Sequence, residues 1–216
     1  MKPGVGTYHQ QLAAEKRALI LEAATGLFSE LGYDKTSLAR VAERAGVSTA
    51  TMFKQFPTKA ALFEAIVLRF WAADPGADVT PPSPGDPADA LRTLGARYAE
   101  LLRRPGMAGL HRMVIAEAPR FPELARVQFD LGKEPFFELV RDYIDAESTD
   151  GRLLATDAVR ATTEFLGMIS NFVLWPQLLL VEWSPTDEAI ADTVESAVRT
   201  FLSRYLARDR ESARGE

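Results

Sequence analysis

Between residues 49 and 59 the chain places Thr49, Ala50, Thr51, Lys54 and Lys59. Hydroxyls and cations grouped in this way suit charge-assisted hydrogen bonding to phosphate oxygens. Thr49, Ala50 and Thr51 are short enough to let their backbone approach a flat surface. Their methyl groups suit the thymine methyl in a major groove. Lys54 and Lys59 can neutralise phosphates, and free amides at helix starts can bind phosphate oxygens. The chain offers little for catalysis. It has no cysteine and only two histidines, His9 and His111, far apart in sequence. Thiolate chemistry and cysteine-based metal sites are therefore excluded, and no metal spacing, Gly-rich phosphate loop or nucleophile motif is present. The expectation is a binding protein without cofactor or metal, and not an enzyme.

The elements that must hold these residues are helical. Ile20, Ala24, Leu27, Phe28 and Leu31 recur at helical spacing along a first helix of about 11–31, which Gly32 stops. Thr36 or Ser37 can cap a second helix with Leu38, Val41, Ala42 and Ala45 on its buried face. Gly46 permits a sharp turn, and Ser48 can cap a short third helix that ends near Phe53. Thr58 can cap a fourth, with Leu62, Phe63, Ile66 and Phe70 inward. Two short helices joined at Ala45-Gly46-Val47 and braced by a long one form a helix-turn-helix, whose second helix can enter a major groove.

The stretch 74–87, with five prolines and two glycines, predicts a loop or hinge. Helical patterns resume over 88–104, 106–117, 121–147, 154–180 and 186–207. No alternating strand pattern or internal repeat appears, so the fold class is all-α with about nine helices. Pro176 predicts a kink near Trp175. Net charge is −5, but residues 1–60 carry eight Lys/Arg against five Asp/Glu, while 61–216 carry seventeen against twenty-five. A basic end on an acidic body fits attraction of that end to phosphates. No apolar run is long enough for a membrane span and the start lacks a secretory core; with no cysteine, a cytoplasmic location is expected.

The run RALILEAATGLFSELGYDKTSLARVAERAGVSTATMFKQFPTKAALF, Arg17 to Phe63, resembles the DNA-binding domain of TetR-family transcriptional regulators. The likeness rests on Leu27-Phe28, Gly32-Tyr33, Thr36-Ser37, Val41-Ala42, Ala45-Gly46-Val47-Ser48, Thr51, Phe56-Pro57 and Lys59, in that order. It implies that Thr36, Ser37, Thr51, Phe53 and Lys59 contact the DNA backbone and that Thr49 and Ala50 lie near base edges. Arg40, Ser48 and Lys54 complete the candidate set. The chain departs from the usual pattern at Phe53, where the family favours tyrosine, and at Gln55 and Ala39.

The stretch RMVIAEAPRFPELARVQFDLG, 112–132, resembles the C-terminal domain of the AefR-like branch. Together these likenesses imply a helix-turn-helix domain over 1–60 and a helical ligand-binding and dimerisation domain over 61–216, connected by the fourth helix. The implied function is a sequence-specific transcriptional regulator, most often a repressor, that binds a near-palindromic duplex as a homodimer. In the family, a ligand tilts the fourth helix and spreads the two reading heads. A small apolar ligand is accordingly expected among Tyr98, Leu102, Leu110, Met113, Glu117, Phe121, Gln128, Phe165, Met168 and Phe172. The last two long helices carry more apolar surface than one seam needs, which predicts a dimer interface through Phe172, Trp175, Leu179, Trp183, Val194, Val198, Phe201 and Tyr205. The alternative is a helical ligand-binding or architectural protein without specific DNA binding.

Overall fold

A computed structural model describes residues 5–72 and 86–207. Among them are eleven α-helices: α1 (Val5–Leu31), α2 (Leu38–Arg44), α3 (Thr49–Gln55), α4 (Lys59–Trp71), α5 (Pro87–Arg103), α6 (Met107–Glu117), α7 (Pro122–Val127), α8 (Glu134–Thr149), α9 (Ala158–Val173), α10 (Trp175–Leu179) and α11 (Asp187–Tyr205). A π-helical turn, Gln128–Lys133, separates α7 from α8. Extended pairing among the described residues is limited to one antiparallel bridge, Leu153–Leu206. The all-α class holds. The expected helix over 121–147 is divided by the π turn, and Pro135 occupies the first turn of α8. The break near Trp175 occurs as expected: α9 ends at Val173, and Pro176 sits in the first turn of α10. Of the expected loop over 74–87, residues 74–85 lie outside the described residues. Asp86 caps α5 by accepting from the Ala88 amide at 2.9 Å, and Pro87 is its first residue.

The chain forms two compact units, Met1–Ala72 with Gly109–Gly132, and Ala73–Ala108 with Lys133–Glu216. In the first, Ile20, Leu27, Val41, Met52, Leu62 and Phe63 share a core with Leu110, Met113 and Leu124. Tyr33 is wedged edge-on against Phe63 and Phe121, at ring distances of 6.0 and 5.2 Å. The turn after α1 requires glycine for its backbone conformation. Gly32 has φ +80°, and a Cβ there would lie 2.6 Å from Glu117 Oε1. Arg120 fastens the same turn through a 2.9 Å ion pair with Asp34.

In the second unit α5, α8, α9 and α11 bury Leu91, Leu94, Tyr98, Val140, Ile144, Phe165 and Ile169. Gly95 lets α5 approach α9 and α11 closely, because a Cβ there would meet Val194, Ile169 and Phe165 at 3.0–3.2 Å. Val194, Val198, Phe201 and Tyr205 are all buried in this same core. This corrects their expected place at a dimer seam. The apolar stripe of α11 is satisfied inside its own subunit, and its outward face carries Asp187, Glu188, Asp192, Ser196 and Arg199.

Candidate nucleic-acid interface

Three local choices aim α2 and α3 outward. Ser37, in extended conformation, caps α2 by accepting from the Arg40 amide at 3.2 Å. Gly46 then turns the chain at φ +65°, where any L side chain would be strained. Ser48 caps α3 by accepting from the Thr51 amide at 3.1 Å, and its hydroxyl shares a 2.9 Å hydrogen bond with that of Thr51. Within α3 only Met52 is buried. Thr49, Ala50, Phe53 and Lys54 are exposed, at i, i+1, i+4 and i+5, and so occupy one outward face. Short side chains at the helix start, a cation one turn on and an exposed ring between them form a surface suited to a DNA groove. Ser37 and Arg40 are exposed at the start of α2, where an Arg40 guanidinium N–H donates to the Lys35 carbonyl at 3.3 Å. Lys35, outside the residues expected from the sequence, is exposed on the same turn. Its place directly before Thr36-Ser37 was the available signal.

Two expected phosphate contacts are occupied within the protein. The Thr36 side chain is buried, and its hydroxyl donates to the carbonyls of Gly32 at 2.9 Å and Leu27 at 3.2 Å, closing the end of α1. Lys59 Nζ donates to the carbonyls of Tyr33 at 2.8 Å and Asp34 at 3.2 Å and lies 4.3 Å over the Tyr33 ring. Burial lowers its pKa from the ordinary lysine value, against the raising pull of Asp34 and Glu117. Both residues fasten the corner between α1 and α4, and two of the three Lys59 ammonium donors are used there.

Two outcomes follow for variants. Thr36→Val keeps the shape but removes the one hydroxyl proton that the two carbonyls share, so it should cost roughly 1–3 kcal/mol in a denaturant titration. Lys54→Ala should weaken binding to all duplexes alike and make the salt slope shallower by about one unit. Lys59→Ala should instead lower the melting temperature; an unchanged melt with a shallower slope would return Lys59 to the phosphate contacts.

The ten residues expected around a ligand fall in both compact units. Tyr98, Leu102, Phe165, Met168 and Phe172 belong to the second, and Leu110, Met113, Glu117, Phe121 and Gln128 to the first. Tyr98 stacks on Phe136 at 5.3 Å, and burial pushes its phenol up to about 12 while a hydrogen bond with Ser170 pulls it down. Phe165 meets Phe201 edge-on at 5.6 Å. An open cleft of about 550 Å³ lies between α5 and α11, lined by Arg92, Ala96, Glu100, Arg103, Ile190 and Val194 among others. Its rims are tied by ion pairs from Arg92 to Glu195 and Arg103 to Asp187. Residues around α10 present apolar surface outward: Trp175, Leu179, Leu180 and Val181 are 58–77% exposed, and Phe172 meets Trp183 at 5.7 Å. No described helix is long and apolar enough to cross a membrane.

Comparison with known proteins agrees with this arrangement. Residues 20–66 match the family described as bacterial regulatory proteins, tetR family. Residues 89–207 match the AefR-like transcriptional repressor C-terminal domain. The chain is 26% identical over 191 residues to the HTH-type transcriptional repressor KstR of Rhodococcus jostii, covering 87% of this chain and 83% of that one. A TetR family regulator from Pseudomonas syringae pv. tomato superposes with TM-score 0.73 at 29% identity, over 90% of this chain and 98% of the other. The flavonoid-responsive regulator FrrA does so with TM-score 0.70 at 26% identity, over 90% and 99%. With an outward-facing recognition helix in the first unit and a family match across more than half its length, the chain belongs to the TetR family of DNA-binding transcriptional regulators, with a C-terminal domain of the AefR-like repressor type.

Proposed function

We propose that the protein is a homodimeric repressor that reads a near-palindromic operator and leaves it when a small, mainly apolar molecule binds. The observation that carries the reading is the α3 face, where Thr49 and Ala50 stand exposed at the capped helix start and Lys54 lies one turn on. The dimer is assigned to the apolar surface around α10, since Trp175, Leu179, Leu180 and Val181 are exposed in one short segment while the α11 stripe is buried. A patch of this kind on a regulator with a symmetric target fits an isologous contact. A responsive relative, FrrA, supports the ligand.

Release requires that the ligand prefer a state with low DNA affinity; equal affinity for both states shifts nothing. A coupling of about 1–3 kcal/mol gives a 5–150-fold loss of DNA affinity, and linkage demands the reciprocal loss for the ligand. Calorimetric titration of a flavonoid panel with and without saturating operator checks this. A compound that binds equally well in both titrations is not an inducer, and a panel in which every binder behaves so contradicts the switch.

A further inference from the structure

Two buried polar atoms in the first unit, Trp71 Nε1 and Gln128 Oε1, have no hydrogen-bond partner in the protein. Trp71 ends α4, and Gln128, only 7% exposed, opens the π-helical turn. Gln128 Nε2 lies 3.3 Å from His111 Nε2 on α6, and the His111 ring is 6.4 Å from that of Trp71. A Cβ at Gly132 would lie 2.6 Å from Trp71 Nε1, so glycine admits the indole edge against the turn. A buried donor or acceptor without a partner is costly, and π turns are rare and concentrate at functional sites. DNA contact by α3 accounts for neither feature. Phe129 and Leu131 of the same turn are exposed at 49% and 38%, which places apolar surface beside the polar pair.

We propose that Trp71 and Gln128 form the polar end of the effector site, and that the effector is a neutral, mainly apolar molecule bearing an alcohol or phenol hydroxyl. This rests on the small-molecule reading above. The indole N–H can only donate, and Gln128 Oε1 can only accept. A hydroxyl complements either group, since it can accept from an indole N–H and donate to an amide oxygen. With Gln128 Oε1 facing the site, a carboxylate would confront it without a proton, and an ammonium would confront the indole N–H in either orientation of the amide. If the Gln128 amide is turned over, its oxygen accepts from His111 and its nitrogen donates outward. A hydroxyl oxygen, with two lone pairs, then accepts from both donors, so it satisfies the site in either orientation.

The test compares p-cresol with toluene, a pair that differs by one hydroxyl, on the full-length protein. Binding is followed by calorimetry and by the ¹⁵N-indole signals, with Trp71→Phe identifying the Trp71 signal. The expected result is a displaced Trp71 indole signal and p-cresol binding about tenfold tighter than toluene, the worth of roughly one to two net hydrogen bonds. Gln128→Met should bring the two ligands within about twofold of each other. If that variant does not fold, Trp71→Phe reports the same loss of preference by calorimetry. Equal affinity for the two compounds, or no p-cresol response at Trp71, overturns the assignment. A parallel operator titration separates the two claims. Binding at Trp71 by hydroxylated compounds, none of which releases DNA, contradicts the switch and keeps the site. Release by an apolar compound that leaves the Trp71 signal in place keeps the switch and contradicts the site.

Discussion

Phe201→Asp is expected to prevent the second unit from folding, not to yield a folded monomer. Phe201 is 2% exposed, edge-on to Phe165 at 5.6 Å and tilted over Tyr205 at 4.8 Å. Truncating such a ring alone costs about 3–5 kcal/mol. The carboxylate adds the penalty of a charge taken out of water without a partner. Together these approach or exceed the stability of about 5–15 kcal/mol of an ordinary domain. Circular dichroism should show loss of helix and no cooperative melt for this unit. A variant that melts like the parent but sediments as a monomer would return Phe201 to the dimer contact.

Leu179→Asp is expected to do the opposite: leave the subunit folded and divide the dimer. Leu179 is 70% exposed and belongs to α10, which has no buried residue. The charge therefore costs the free subunit little, while in an apolar contact it loses hydration without compensation. Splitting the dimer removes the second, tethered half-site contact, so operator affinity should fall by about 10²–10⁴-fold. Sedimentation at several concentrations, followed by fluorescence anisotropy on the operator, reads both effects. A Leu179→Asp dimer with unchanged affinity would move the interface away from α10.

The contrast between these variants shows what the sequence can and cannot carry. Ser48 and Thr58, and Ser37 as one of two candidates with Thr36, were legible as caps because capping depends on residue type and a spacing of three. Each does accept from the amide three residues on. The outward face of α3 was legible for a similar reason, since only Met52 of its seven residues is buried. The stripe Ile190, Val194, Ala197, Val198 and Phe201 fixed which face of α11 is covered. Periodicity cannot say whether its own subunit or a second copy covers it, and α5 and α9 do so here. Lys59 was read as a phosphate contact from its charge, and Thr36 from the family resemblance. That their donors point back to the carbonyls of Tyr33, Asp34, Gly32 and Leu27 is a matter of tertiary placement. The π turn was not legible over 121–147, because the segments on either side are too short for periodicity to fix their relative phase.

The central claim is that two outward α3 helices, held by one dimer, read two related half-sites. Selection of bound duplexes from a random DNA pool, with the full-length protein, tests it most directly. The account predicts an inverted repeat with half-site centres about 34–36 Å apart, or a multiple of that distance. Substitutions at Thr49 or Ala50 should change the bases enriched within each half. Enrichment of a sequence without inverted symmetry, or no enrichment over the starting pool, would contradict it.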